Sequence, residues 1–180
     1  MKLGIYVGSF NPVHNGHLRV IHYLLDNNYV DKVLVLPTPN YWDKQDLVDI
    51  NHRVNMFKIF ETKKIIVDDI HNKYPYTYLV LRSIKKDYPN DLLYLIIGAD
   101  NLVNLDKWKN IDEILENKVI VLNRYDIDMN KYLEKFNKSK FIIIPDYNYT
   151  DISSTEIRNG NYKELNSKVK KYIDENNLYK

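Results

Sequence analysis

Residues 4–17 read Gly4-Ile5-Tyr6-Val7-Gly8-Ser9-Phe10-Asn11-Pro12-Val13-His14-Asn15-Gly16-His17, and the fold turns on how they are read. Lys2 to Val7 is short, apolar and partly β-branched, with Gly8 behind it, which predicts a buried strand. Gly8 to Asn15 holds Gly, Ser, Asn and Pro, the residues of a loop. From His17 onward Leu18, Val20, Ile21, Leu24 and Leu25 recur at helical spacing. Strand, tight loop and helix in that order aim a helix N-terminus at the space above the strand's C-terminal end. The open N–H groups and the dipole of a helix start suit such a place to an anion. Gly8 lacks a Cβ, so a phosphate can come close to the backbone there. His14 and His17, at the loop end and in the first turn, can both face that anion. The loop has no Gly-Lys-Ser/Thr of a Walker A element and no G-x-G-x-x-G of a dinucleotide fingerprint.

The alternation continues along the chain. Lys32–Leu36, Lys64–Val67, Leu92–Ile97, Val119–Leu122 and Phe141–Ile144 are continuous apolar runs, ended at Pro37, Gly98, Asn123 and Pro145. Helical patterns lie between or after them: from His52, over Tyr76–Lys86, Ile111–Glu116 and Met129–Phe136, and from Ser154 and Ser167. Apolar runs rather than alternating ones imply strands buried on both faces. The expectation is one α/β domain over residues 1–180, a Rossmann-like parallel sheet covered by helices on both faces. Ligands in such folds sit beyond the C-terminal strand ends, at a switch in strand order.

Composition excludes several classes. A net charge of +2, with basic residues dispersed, gives no general attraction to nucleic acid. There is no cysteine, hence no disulfide and no thiolate metal site. No apolar run approaches the roughly 18 residues of a membrane span, and the first strand begins almost at Met1, with no signal peptide in view. A cytoplasmic protein with no membrane partner is expected.

Two stretches carry a resemblance. Gly8-Ser9-Phe10-Asn11-Pro12-Val13-His14-Asn15-Gly16-His17 resembles the G-[ST]-F-[DN]-P-x-H-x-G-H signature of the nucleotidylyltransferase superfamily. Ile152-Ser153-Ser154-Thr155-Glu156-Ile157-Arg158 is similar to that superfamily's I-S-S-T-x-I-R. Gly98-Ala99-Asp100 and Lys107-Trp108 narrow the resemblance to the nicotinate and nicotinamide mononucleotide adenylyltransferases.

The resemblance implies a reaction in which a mononucleotide phosphate attacks the α-phosphorus of ATP and displaces pyrophosphate. A phosphate monoester is already mostly dianionic near neutral pH, so the nucleophile needs no general base. Donors and cations that hold two anions in line are needed instead. By resemblance, His17 donates near the reacting centre and His14 towards the β- or γ-phosphate. Ser154, Thr155 and Arg158 grip the β- and γ-phosphates, with Ser153 opening that helix. Gly8, Ser9, Phe10, Gly16 and Gly98 line the ATP site, Asp100 holds ribose hydroxyls, and Lys44 reaches phosphates as a mobile cation. Trp108 stacks on the pyridine, with Ser9, Phe10, Tyr76, Thr77 and Lys107 around the mononucleotide. Magnesium enters with ATP.

Plainer readings stand beside these. The histidines can cap or pack a helix start, or pair on a metal. Ser153 and Glu156 have capping-box spacing, Asp100 can be an N-cap, and Trp108 can be core. Lys44 can be a solvated lysine, and Arg53, in His52-Arg53-Val54, half of an ion pair. The chain also departs from the family pattern. Trp42-Asp43-Lys44 stands where Pro-His-Lys is frequent, and Leu79-Val80 where Asp and Thr are usual. The expected acceptor is nicotinate mononucleotide. The alternatives are nicotinamide mononucleotide, another small-molecule transfer such as that of a pantetheine-phosphate or glycerol-phosphate enzyme, and a nucleotide-binding regulatory module without turnover.

Overall fold

The six apolar runs form six strands: β1 (Lys2–Gly8), β2 (Lys32–Pro37), β3 (Ile65–Val67), β4 (Leu92–Gly98), β5 (Lys118–Leu122) and β6 (Phe141–Ile144). The structure is a computed structural model and describes residues 1–40, 47–123, 126–144 and 152–180. Lys44, Trp42 and Pro145 lie outside the described residues. All neighbouring strands are parallel, in the order β3-β2-β1-β4-β5-β6. The order reverses between β1 and β4, which pair from Lys2↔Leu92 to Tyr6↔Ile96.

The helices are α1 (Asn15–Asp26), α2 (Ile50–Lys58), α3 (Thr77–Asp87), α4 (Ala99–Leu102), α5 (Ile111–Ile114), α6 (Met129–Leu133), α7 (Ser154–Arg158) and α8 (Ser167–Glu175). They divide between the two faces of the sheet, because successive strand residues point to opposite sides. Val33, Val35, Ile96 and Ile120 meet Ile21, Leu24, Phe57, Ile157 and Ile173 of α1, α2, α7 and α8. Leu34, Leu36, Leu95 and Val121 meet Leu81, Leu102, Ile114 and Leu133 of α3 to α6. The expected two-faced sheet is thus present. Details differ. α4 falls where no helix was assigned, α5 stops at Ile114 rather than Glu116, and α6 stops at Leu133 rather than Phe136. Phe136 leaves the helix to pack on Phe141, with ring centroids 5.4 Å apart.

An ion cluster centred on the buried His71 fastens the end of β3 to α3. His71 is 5% exposed, and its Nδ1 lies 2.6 Å from Asp68 Oδ2 while its Nε2 lies 2.6 Å from Asp87 Oδ2. Carboxylates on both ring nitrogens require both N–H groups, the imidazolium form. Burial alone would lower the pKa of His71, but the hydrogen bonds and charges of Asp68 and Asp87 outweigh it and raise the pKa above its usual value. A raised folded pKa adds stability that is full below the unfolded value of about 6.5 and is lost as pH climbs through the folded one. His71→Gln should therefore lower Tm most at pH 5.5, by roughly 3 °C, and progressively less towards pH 9. A deficit that grows with pH would refute the clamp.

Candidate active site

A cavity of about 310 Å³ opens where β1 and β4 part, at the reversal of strand order. Gly8, Ser9 and Phe10 of the first loop line it, with His14, Gly16 and His17 at the start of α1. Gly98 borders it from the end of β4, Asn101 from α4, Thr77 from α3, Ser154 from the start of α7, and Trp108 and Ile152 from later loops.

The histidines are fixed by the helix they begin. His14 is the N-cap of α1, and its Nδ1 accepts the N–H of Gly16 at 3.0 Å. His17 Nδ1 accepts the N–H of His14 at 3.1 Å, which closes a capping box made of two imidazoles. The rings stack with centroids 3.7 Å apart. With Nδ1 an acceptor in each, the neutral ring carries its proton on Nε2. Capping and phosphate donation, rival readings of the sequence, are here compatible. The cap sets the tautomer and ring direction, and both residues line the cavity.

Phe10 holds the loop's shape. Its φ of 47° lies in the left-handed region, uncommon for a side chain of this size. Its ring packs edge-on against Tyr6 at 5.2 Å, His17 at 4.9 Å and Phe57 at 4.9 Å. Packing of this kind over-determines the conformation. It also explains Gly8 differently from the expectation. A Cβ on Gly8 would stand 3.0 Å from the Phe10 ring, so the missing side chain leaves room for that ring.

The late signature is joined to the early one. Ser153 caps α7 in a capping box with Glu156, as the plainer reading required. Ser154 Oγ donates to Pro12 O at 2.9 Å, and Arg158 Nη1 donates to Asn11 O at 2.7 Å. Arg158 Nη2 donates to Thr155 Oγ1 at 3.2 Å. On the far side of Asn11, Tyr179 Oη donates to its Oδ1 at 2.7 Å. Burial drives the Tyr179 phenol far above its usual pKa despite the nearby Arg158 and Arg53 charges, so it stays a donor.

Of the expected site residues, Gly8, Ser9, Phe10, His14, Gly16, His17, Thr77, Gly98, Trp108 and Ser154 line the cavity. Trp108 also packs on the core beneath α3, so it is at once wall and core. Asp100, Ser153, Thr155 and Arg158 stand outside the lining, as do Tyr76 and Lys107. Asp100 is not an N-cap, since Gly98 takes that position in α4. Among the described residues, Asp100 Oδ1 is the buried side-chain polar atom with no hydrogen-bond partner. Lys107 is exposed. Tyr76 precedes α3 and stacks on Tyr78 at 6.1 Å, with Lys109 Nζ 4.5 Å from its ring centre. Sequence reasoning missed Asn101 and Asn123 as lining residues. The position of Asn123 just past β5 was the available signal.

Comparison with known proteins bears on this arrangement. A family model described as cytidylyltransferase-like matches residues 5–160. A probable nicotinate-nucleotide adenylyltransferase of Clostridium tetani is 38% identical over 172 residues, covering 87% of this chain and 85% of that protein. A protein of the same description from Flavobacterium johnsoniae is 37% identical, with 100% of both chains covered. Among solved structures, the Plasmodium falciparum nicotinic acid mononucleotide adenylyltransferase complexed with NaAD superposes with a TM-score of 0.84. It is 28% identical, over 99% of this chain and 97% of that one.

Proposed function

The chain belongs to the cytidylyltransferase-like family, and from that membership we propose that it transfers the adenylyl group of ATP to nicotinate mononucleotide, releasing pyrophosphate, a step of NAD biosynthesis. The observation that carries the reading is the imidazole capping box, which sets two Nε2-protonated rings beside one cavity at the strand-order reversal.

A phosphate oxygen of the mononucleotide attacks the α-phosphorus of ATP. The bond from that phosphorus to the β-phosphate bridging oxygen breaks, and pyrophosphate leaves with the charge. His17 Nε2–H donates to oxygen at the reacting centre, and His14 to the leaving side. Arg158 and the Thr155 hydroxyl take the β- and γ-phosphates. Such fixed donors stabilise charge that grows in the transition state without reorganising. The orphan acceptor of Asp100 suits an adenosine ribose hydroxyl, which would supply the missing donor. Among the described residues no cluster of three His, Asp or Glu side chains could cage a metal. Magnesium is expected to enter on the triphosphate, whose charge it offsets, and none of these steps runs through it. Among the described residues no helix is long and apolar enough to cross a membrane.

On the acceptor side, Trp108 stacks on the pyridine ring and Thr77 offers a donor. Lys109, held over the ring of Tyr76, the residue before Thr77, is the nearby positive charge. A carboxylate gains from that charge and a carboxamide does not. The chain should prefer nicotinate over nicotinamide mononucleotide by about tenfold or more in kcat/KM, the scale of one charge-assisted hydrogen bond. Both acceptors are compared at saturating ATP and magnesium. Equal values, or preference for the amide, would overturn the acceptor while leaving adenylyl transfer in place.

A further inference from the structure

Arg53 is 0% exposed. Its Nε donates to Val48 O at 3.0 Å, its Nη1 to Ser9 O at 2.9 Å and its Nη2 to Asn40 Oδ1 at 2.9 Å. All three acceptors are neutral. The ion pair that the sequence allowed is absent: among the described residues no carboxylate lies within 4.0 Å of this guanidinium. Asp49 is the nearby carboxylate, and its Oδ1 caps α2 by accepting from Asn51 N. Burying a cation without a counter-ion is costly. Neutral acceptors alone would serve a strut equally well if the strut were itself neutral.

We propose that Arg53 is a positioning residue whose buried charge, hydrogen-bonded among the described residues to neutral acceptors only and set behind Ser9 and Phe10, strengthens the cavity's hold on the phosphates of its ligands. Two physical routes lead there. Ser9 and Phe10 line the cavity, so the positive charge stands one layer behind its wall, where screening by water is weak. Ser9 C=O and Phe10 N–H also belong to one peptide unit. A guanidinium on the carbonyl polarises that unit and makes the N–H a stronger donor towards an anion.

The inference rests on reading the cavity as a phosphate site. Its test uses binding of ATP and of adenosine, without turnover. Arg53→Met, the obvious substitution, strands three acceptors and is expected to fold poorly. The charge is better neutralised in place. Asn40 is exposed, and Asn40→Asp keeps an acceptor on Nη2 while adding a negative charge. Asn40 Nδ2 also donates to Leu47 O at 3.3 Å and Val48 O at 3.4 Å, and these donors are lost. Asn40→Ala loses the same donors without adding charge and is the reference.

Kd is measured for ATP and for adenosine by equilibrium titration of both variants, with Tm in parallel to confirm folding. Asn40→Asp should bind ATP about tenfold more weakly than Asn40→Ala, the order expected of one charge acting across a low-dielectric layer. Adenosine, which lacks phosphate, should bind the two within about twofold. Equal ATP affinities would make Arg53 a strut only and overturn the proposal. Equal weakening of ATP and adenosine would also overturn it, as a sign of distortion rather than charge. If the unsubstituted protein binds no ATP at all, the phosphate-site reading falls and the inference with it.

Discussion

His17→Ala loses at least about a hundredfold in kcat, the scale of removing one preorganised donor, while its affinity for ATP changes far less. The direction follows from what the ring does. Its Nδ1 is spent on the N–H of His14, which puts the proton of the neutral ring on Nε2, and the residue lines the cavity. Charge on the phosphate oxygens grows as the bond to pyrophosphate breaks, so this donor matters most in the transition state. An interaction of that kind shows in kcat rather than in ground-state binding. Two further substitutions separate donor from cap. Asn at position 17 can replace Nδ1 as the acceptor but cannot reach as far as Nε2. Gln can place an amide N–H near Nε2 and is itself a usual capping-box residue at this position. Stopped assays should therefore find His17→Asn as slow as His17→Ala though more stable, and His17→Gln partly active. Near-normal turnover in His17→Asn would reduce the ring to a helix cap.

Arg158→Ala comes next in size, with kcat/KM for ATP lowered by roughly a hundredfold, the worth of one to two charge-assisted hydrogen bonds. Two of its five N–H groups are engaged within the protein, on Asn11 O and Thr155 Oγ1. The rest of the fork is available to the β- and γ-phosphates, and binding there leaves the tie to the first signature intact. Arg158→Lys keeps the charge but not the planar fork, so it cannot hold Asn11 and a phosphate together. It should recover only part of the loss, with KM for ATP raised and KM for the mononucleotide little changed. If both KM values rise together and Tm falls by several degrees, Arg158 is a strut between the two signatures and does not hold the pyrophosphate.

The sheet was legible because every strand is buried on both faces. Runs such as Leu92 to Ile97 have no polar alternation, and Pro37 and Gly98 mark where two of them stop. The start of α1 was read two residues late, at His17 rather than Asn15, since histidine is not a usual N-cap. α4 was missed because four residues carry no period, and Ala99-Asp100-Asn101-Leu102 reads as a loop after a strand. Local spacing placed the two signatures but not their junction. Ser154 on Pro12, Arg158 on Asn11 and Tyr179 on Asn11 join residues far apart in the chain. The ion pair expected of Arg53 fails for the same reason: its acceptors, Ser9, Asn40 and Val48, are backbone carbonyls and a neutral amide, which leave no trace in a charge pattern.

In the proposed reaction one direct displacement joins ATP and nicotinate mononucleotide. It is tested most directly by incubating the purified protein with ATP, magnesium and that mononucleotide and counting products. Pyrophosphate and the deamido pyridine dinucleotide are expected in equal amounts, with neither formed when the mononucleotide is left out. ADP with orthophosphate, or pyrophosphate released without dinucleotide, would contradict the proposed reaction.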